Sequence, residues 1–271
     1  MGLIDGGKKL AQEVMKDITS NYQILSDSYF TAFHQEGDLQ VFSSSVFPDI
    51  GWNYAIVVDE GRLPSGGEVS LIRQHTAAKA PVFVVSAQQK AKISALNADP
   101  GIHFEEYSTW MSCKHLQGAI PAGIDIKVYA PRESAPIPAA ISVFEAAYCG
   151  DGAGTIGYSQ LGPEYPAGFG KMLRSAERAH LIAIDVDDQM AAVASVVFHP
   201  DIPLAGLYNV GVHPKFRGRG LGSAISRAAT KHALENGAAR CILQTEAGSE
   251  VALMYEKMGY SEDIMTYFLE I

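Results

Sequence analysis

Apolar residues recur along this chain with two alternating patterns. Over "LGSAISRAATKHALENG" (221–237) they return every three or four positions, the spacing of an amphipathic helix, and Asn236-Gly237 supplies a C-terminal stop. Over "HLIAIDV" (180–186), "AAVASVVFH" (191–199) and "LAGLYNVGV" (204–212) apolar and β-branched residues run together, which predicts strands. The same reading predicts strands at "IDIKVYAP" (124–131), "CILQTEA" (241–247) and "YSEDIMTYFLEI" (260–271), and helices at "AAISVFEAAY" (139–148), "FGKMLRSAERA" (169–179) and "SEVALMYEKMG" (249–259). Between the first two of those helices lies a flexible loop rich in glycine and tyrosine, 149–168.

The N-terminal part shows the same alternation. Leu10, Val14, Ile18 and Ile24 predict one or two amphipathic helices from Lys8 to about Phe33. Strands are predicted at "LQVFSSSVFP" (39–48), "WNYAIVVD" (52–59), "PVFVVSA" (81–87) and "IHFEEYSTWMSCK" (102–114), and helices at 68–80 and 88–101. "RLPSGG" (62–67) is a turn. Alternating helices and strands indicate an α/β (α+β) layer structure. "GAIPAGI" (118–124) is short and rich in small residues, and it divides the chain into expected domains 1–120 and 124–271.

Composition narrows the function. The chain has 271 residues, 47% hydrophobic and 19% charged, with a formal net charge of -9. Such a balance argues against wholesale binding to nucleic acid or to anionic membranes. Cys113, Cys149 and Cys241 form no CxxC pair and no metal-ligand spacing, so three reduced thiols and no metal are expected. "MGLIDGGKKLAQEVMKD" lacks a signal-peptide core, and no apolar run is long enough to span a bilayer. A cytoplasmic protein is the expectation.

Against that acidic background, "VGVHPKFRGRGLGSAI" (210–225) stands out. Lys215, Arg217 and Arg219 are threaded among Gly218, Gly220 and Gly222 at the entry to a predicted helix. The first turn of any helix leaves backbone N–H groups unpaired, and its dipole favours an anion there. Glycine removes the Cβ atoms that would hold a phosphate away and allows the dihedrals of an anion nest. A phosphate or pyrophosphate suits the place. A solvated basic loop is the plain alternative. A Rossmann loop would need an acid about twenty residues on, where Cys241-Ile242-Leu243 stands, and a Walker A loop would need Gly-Lys-Ser/Thr.

Arg217-Gly218-Arg219-Gly220-Leu221-Gly222 resembles the Arg/Gln-x-x-Gly-x-Gly/Ala signature of the GCN5-related N-acetyltransferase (GNAT) superfamily. "LYNVGVHP" before it is similar to the family's fourth strand, and "MYEKMGY" (254–260) to its downstream "lYeklGF" element. The resemblance implies that acetyl-CoA lies between splayed fourth and fifth strands. The pantetheine would meet the main chain of Val210, Gly211 and Val212, and the pyrophosphate would meet Arg217, Gly218, Arg219, Gly220, Leu221, Gly222 and Ser223. It implies Tyr255 as the group that protonates the departing thiolate, the other reading being a tyrosine that packs helix on sheet. The N–H of Val212 is the candidate to polarise the thioester carbonyl.

The general base is poorly marked. Asn209 beside Tyr208 could orient a substrate or a water, or could mark a bulge in its strand; His213 and His180 read as ordinary. In many members an asparagine stands seven residues before the motif tyrosine; here that position is Gly248, so Ser249 or the backbone would replace its contact. Residues 1–120 resemble a degenerate first half of two-domain members, which gives tandem GNAT-like folds, each a mixed, mostly antiparallel sheet flanked by helices. That half is expected to shape the acceptor pocket, with Trp52 and Trp110 as packing residues. The resemblance thus implies an N-acetyltransferase acting on a primary amine of a small molecule, by direct attack in a ternary complex. The loop 149–167 is the expected acceptor lid. The alternative is a non-catalytic acyl-CoA-binding regulatory module.

Overall fold

The computed structural model describes residues 16, 19–26, 28–47, 50–57, 65–76, 82–86, 91, 104–131, 135–149, 161–175 and 177–270. The chain forms two compact units. One holds the residues up to Trp110 together with Gln244–Ala247 and Glu262–Ile271; the other holds Met111–Leu243 and Gly248–Ser261. Compactness therefore divides the chain at Trp110/Met111, ahead of the small-residue segment 118–124, and returns its last strand to the first unit.

In the first unit lie β1 (Ala32–Glu36), β2 (Leu39–Ser43), β3 (Tyr54–Val57), β4 (Val82–Ser86), and most of β5 (Phe104–Cys113) and β11 (Ser261–Glu270). Their order is β1-β2-β3-β4-β11-β5. β11 runs antiparallel to β4, with Thr266 opposite Ser86 and Glu270 opposite Val82. Helix α1 (Gly66–His75) starts at a capping box in which Ser65 and Glu68 each bond the other's backbone N–H. It buries Ile72 against Leu39, Val41, Ala55, Val57 and Tyr267.

The helix expected as far as Phe33 is shorter than the pattern suggested. Residues 19–25 are helical, whereas 32–36 form β1, antiparallel to β2. β1 is an edge strand with mostly exposed or half-buried side chains, so pairing rather than apolar alternation defines it. Trp110 is buried, and Trp52 lies 5.0–5.5 Å from the rings of Tyr29, Phe30 and Phe47. The helix expected over 88–101 falls outside the described residues except for Ala91, as does the expected helix start at 8–15.

The second unit carries β6 (Asp125–Tyr129), β7 (Ala179–Val186), β8 (Gln189–Phe198), β9 (Leu204–Val212) and β10 (Arg240–Thr245) in the order β10-β9-β8-β7-β6. β6 to β9 form an antiparallel meander. Asp187 and Asp188, both with positive φ, make the two-residue turn between β7 and β8. β10 is parallel to β9, so the chain must cross over between them, and α4 (Leu221–Glu235) makes that crossing. α4 buries a small-residue face, Ala224, Ile225, Ala228, Ala229 and Ala233, in a core with Ile182, Ala194, Val196 and Leu207. Helices α2 (Ile137–Tyr148) and α3 (Glu164–Ser175) pack on each other, and α2 covers β8 and β9. Helix α5 (Glu250–Glu256) starts at Ser249, whose hydroxyl accepts from the Ala252 N–H at 3.1 Å. Each strand and helix expected from Ile124 onward is present.

Candidate active site

The second unit's sheet opens at β9. Its ladder with β10 pairs Leu204 with Arg240, Ala205 with Cys241 and Gly206 with Ile242, and stops there. β9 continues to Val212 along β8. Within that continuation a residue is inserted: Ser195 faces Tyr208 and Val193 faces Gly211, so Asn209 and Val210 together oppose Ala194. This is a β-bulge, which bends the strand that carries it.

Asn209 makes the bulge. Its φ of 56° lies in the left-handed region that asparagine tolerates better than most residues. Its Nδ2 donates to Ser195 Oγ at 2.8 Å, and Ser195 Oγ donates to the Tyr208 carbonyl at 3.1 Å. Of the two roles considered for Asn209, the bulge is the one visible in these contacts. Beyond it the strand alternation resumes. The His213 N–H donates to the Ala191 carbonyl at 2.9 Å, which turns His213 and Gly211 toward β8 and Val212 toward the opposite edge.

Side chains occupy the carbonyls on that edge. Tyr148 Oη, at the end of α2, donates to the Val210 carbonyl. Arg217 Nε donates to the Val212 carbonyl at 3.3 Å, and its Nη2 to the Ala147 carbonyl at 3.0 Å. Arg217 thus satisfies one of the last carbonyls of α2, a favourable place for a cation. Tyr148 and Arg217 tie the last turn of α2 to the strand beyond the bulge. Gly211 allows that approach, since a Cβ there would lie 3.2 Å from the Ala147 Cβ.

After Val212 the chain makes a 3-10 turn at Pro214–Phe216, capped by His213 Nδ1, which accepts from the Lys215 N–H at 3.2 Å. Phe216 is buried and anchors the turn, while Lys215 Nζ and the Arg219 guanidinium lie 5.2 and 5.5 Å from its ring centre. Gly218 and Gly220 have φ of 75° and 74°. Gly220 is the N-cap of α4, and the first intrahelical bond there runs from the Ala224 N–H to the Gly220 carbonyl. The N–H groups of Leu221, Gly222 and Ser223 therefore have no intrahelical acceptor. A Cβ added to Gly218 or Gly220 would meet nothing within 4 Å, so open space fronts the loop. Buried Leu221 and Phe216 hold this exposed main chain in place.

Tyr255 is 5% exposed and belongs to the second unit's core, edge-on to Tyr260 at 5.3 Å. Tyr260 shares a 2.7 Å hydrogen bond with Thr230 Oγ1, and burial raises its phenol well above the ordinary range. Burial also pushes the Cys241 thiol up to about 12, so it stays protonated. Residues 150–160 of the expected lid lie outside the described residues. Arg227, a residue the sequence pattern did not single out, donates through Nη1 to Ser223 Oγ and through Nε to the Gln117 carbonyl at 3.2 Å. Among the described residues, no helix is long and apolar enough to cross a membrane, and no group of three or more His, Cys, Asp or Glu is placed to hold a metal ion.

Comparison with known proteins gives this geometry a context. Residues 151–260 match the Acetyltransferase (GNAT) family. The mycothiol acetyltransferase of Corynebacterium efficiens is 36% identical over 75 residues, which are 27% of this chain and 25% of that protein. This chain thus spans a quarter of the length of the curated relative it matches. A GCN5-related N-acetyltransferase from Kribbella flavida superposes with a TM-score of 0.64 at 17% identity, over 94% of each chain. A tandem GNAT protein from the clavulanic acid biosynthesis pathway superposes with a TM-score of 0.57 at 16% identity, over 97% of this chain and 94% of its own. At such identities the likeness is one of fold, and it extends over both units.

Proposed function

We propose, from the match of residues 151–260 to the Acetyltransferase (GNAT) family, that the protein moves an acetyl group from acetyl-CoA to a primary amine of a small molecule. The observation that carries this reading is the departure of β9 from β10 after Gly206, with an exposed glycine-basic loop at the end of the freed segment. A pantetheine arm has two amides and needs main-chain partners. On the edge of β9 turned away from β8, Val210 and Val212 are the residues that can supply them, whereas Gly211 faces β8. A diphosphate needs several donors without side chains in the way, and the backbone from Gly218 to Ser223 supplies those, with Arg219 and Lys215 adding positive charge.

CoA contributes the activated thioester. The Val212 N–H is the donor we assign to polarising its carbonyl. A neutral acceptor amine would attack that carbon and lose a proton to water, the C–S bond would break, and the departing thiolate would take a proton from the Tyr255 phenol, which water then restores. Arg217 acts here through the fold, by fixing the Val212 carbonyl and the end of α2, rather than as a phosphate ligand. The mycothiol acetyltransferase match supports a small-molecule acceptor, and three cysteines that are all free suit the reducing cytoplasm. The expected division into 1–120 and 124–271 assigns the whole donor site to the C-terminal part.

A second reading, a non-catalytic acyl-CoA-binding module, is favoured by the burial of Tyr255 among core side chains. Release of free CoA thiol from acetyl-CoA, followed over a panel of primary amines, separates the two. The enzyme reading expects amine-dependent release that falls roughly 100-fold in Tyr255→Phe, with CoA affinity retained. Thiol release that no amine accelerates, in a protein that binds CoA, leaves the module. Release at the wild-type rate in the variant removes Tyr255 from the chemistry.

A further inference from the structure

The carbonyls of Val210 and Val212 point away from β8, and both are occupied by side chains: the Tyr148 hydroxyl donates to the first, and Arg217 Nε donates to the second at 3.3 Å. Arg217 also reaches α2, since its Nη2 donates to the Ala147 carbonyl at 3.0 Å. Tyr148 is held by packing. Its ring lies 4.8 Å from that of Phe144, which in turn lies 4.8 Å from that of Phe169. The same ring meets β9 at Gly211, where an added Cβ would come within 3.4 Å of Cε2. Its backbone is fixed as well, because the Tyr148 carbonyl accepts from the Leu161 N–H at 3.0 Å. Carbon contacts thus keep the ring at the strand, and the hydroxyl takes the Val210 carbonyl as its acceptor. Tyr148 is half-buried, so a rotation of its side chain can exchange that carbonyl for water.

We infer that Tyr148 is an internal competitor of the donor: its hydroxyl holds the Val210 carbonyl in the free protein and gives it up when pantetheine pairs with this edge. The inference rests on the placement of pantetheine at Val210 and Val212 proposed above. A ligand that adds to a strand edge pairs with it as another strand would, its N–H groups donating to the outward carbonyls. At Val210 the Tyr148 hydroxyl stands where such an N–H has to arrive. A strand-type bond runs nearly along the C=O direction, so a second donor of full strength has no room in front of the same oxygen. A purely structural tie between α2 and β9 is already supplied by Arg217, which spans from Ala147 to Val212. Removing the Tyr148 hydroxyl therefore leaves α2 seated and frees an acceptor on the donor edge. One intramolecular hydrogen bond is lost in the exchange, which sets the effect at a severalfold change in affinity.

Tyr148→Phe tests this, because it deletes the hydroxyl and keeps the ring against Phe144 and Gly211. Titration calorimetry compares acetyl-CoA with 3′,5′-ADP, a fragment that carries adenosine and phosphates but no pantetheine arm. The variant is expected to bind acetyl-CoA about 3- to 10-fold more tightly than the wild type, and 3′,5′-ADP with unchanged affinity. Its ligand-free form is expected to melt roughly 2 to 4 °C lower, so stability and donor affinity move in opposite directions. A tyrosine with a merely structural role would lower both. Unchanged or weakened acetyl-CoA binding in the variant overturns the inference while leaving the donor site in place. Equal tightening of acetyl-CoA and 3′,5′-ADP also overturns it, since the effect then does not reside at the pantetheine edge. If wild type and variant alike fail to bind acetyl-CoA, the donor reading itself falls, and this inference with it.

Discussion

Asn209 shows how much of the site depends on a single backbone conformation. At φ 56° an alanine is strained, and it cannot replace the bond to Ser195. Asn209→Ala is expected to lower unfolding stability by about 2 kcal/mol in urea denaturation. Asn209→Gly keeps the dihedral and is expected to cost less. A ranking with glycine worse than alanine would mean that the bulge does not set the strain. The thiols give a second test. Cys113 and Cys241 are buried and Cys149 is half-buried, with burial raising all three above the ordinary thiol value. In the native state a thiol reagent is expected to label Cys149 slowly and the other two only after unfolding. Single residues were unevenly legible in the sequence. Asn209 declared itself by standing inside an apolar strand. Arg217 sits in a ligand motif, yet its guanidinium reaches back to α2, and no spacing rule encodes that reach. Arg227 reads as a polar position on a helix until Gln117, more than a hundred residues away, comes beside it.

Among the elements, α4 carries the most consequence at its two ends. Gly220→Ala places a Cβ at a left-handed N-cap, which is expected to cost about 1 kcal/mol of stability and to weaken CoA binding measured by titration calorimetry. A stability loss with unchanged CoA affinity would separate the cap from the ligand. At the other end, His232 Nδ1 faces Asn236 Nδ2, so its Nε2 carries the proton donated to His180 Nδ1 at 3.0 Å. Burial beside Phe198 holds its pKa below the ordinary 6.5, and the Glu235 charge opposes this only in part. A lowered histidine pKa means that the unfolded chain binds the extra proton first. Its contribution is complete above pH 6.5 and is lost as pH falls below that value. Urea denaturation from pH 7.5 to 5.0 is expected to show falling stability, with a shallower slope in His232→Gln. The element pattern was readable wherever strands are buried on both faces and helices keep one apolar face. It failed at β1, whose residues are exposed or half-buried and which exists because β2 pairs with it.

For the molecule as a whole, the placement of β11 matters most. The strand pattern of 260–271 was plain in the sequence, but its destination was not, because alternation shows that a segment pairs and not with what. In the structure β11 lies between β4 and β5 in the first unit's sheet. Deleting residues 262–271 is expected to bare two strand edges in that unit. Hydrogen exchange should then show lost protection at 82–86 and 104–110, while α4 stays protected. Retained protection at β4 would mean that the first unit closes without its inserted strand.

That placement also orders events during synthesis. Domains usually complete themselves in the order in which they leave the ribosome. Here the slot between β4 and β5 stays vacant until residues 262–270 have cleared the exit tunnel, so the unit translated first is the last to be finished, and in that interval a holdase chaperone would find its open sheet edge available.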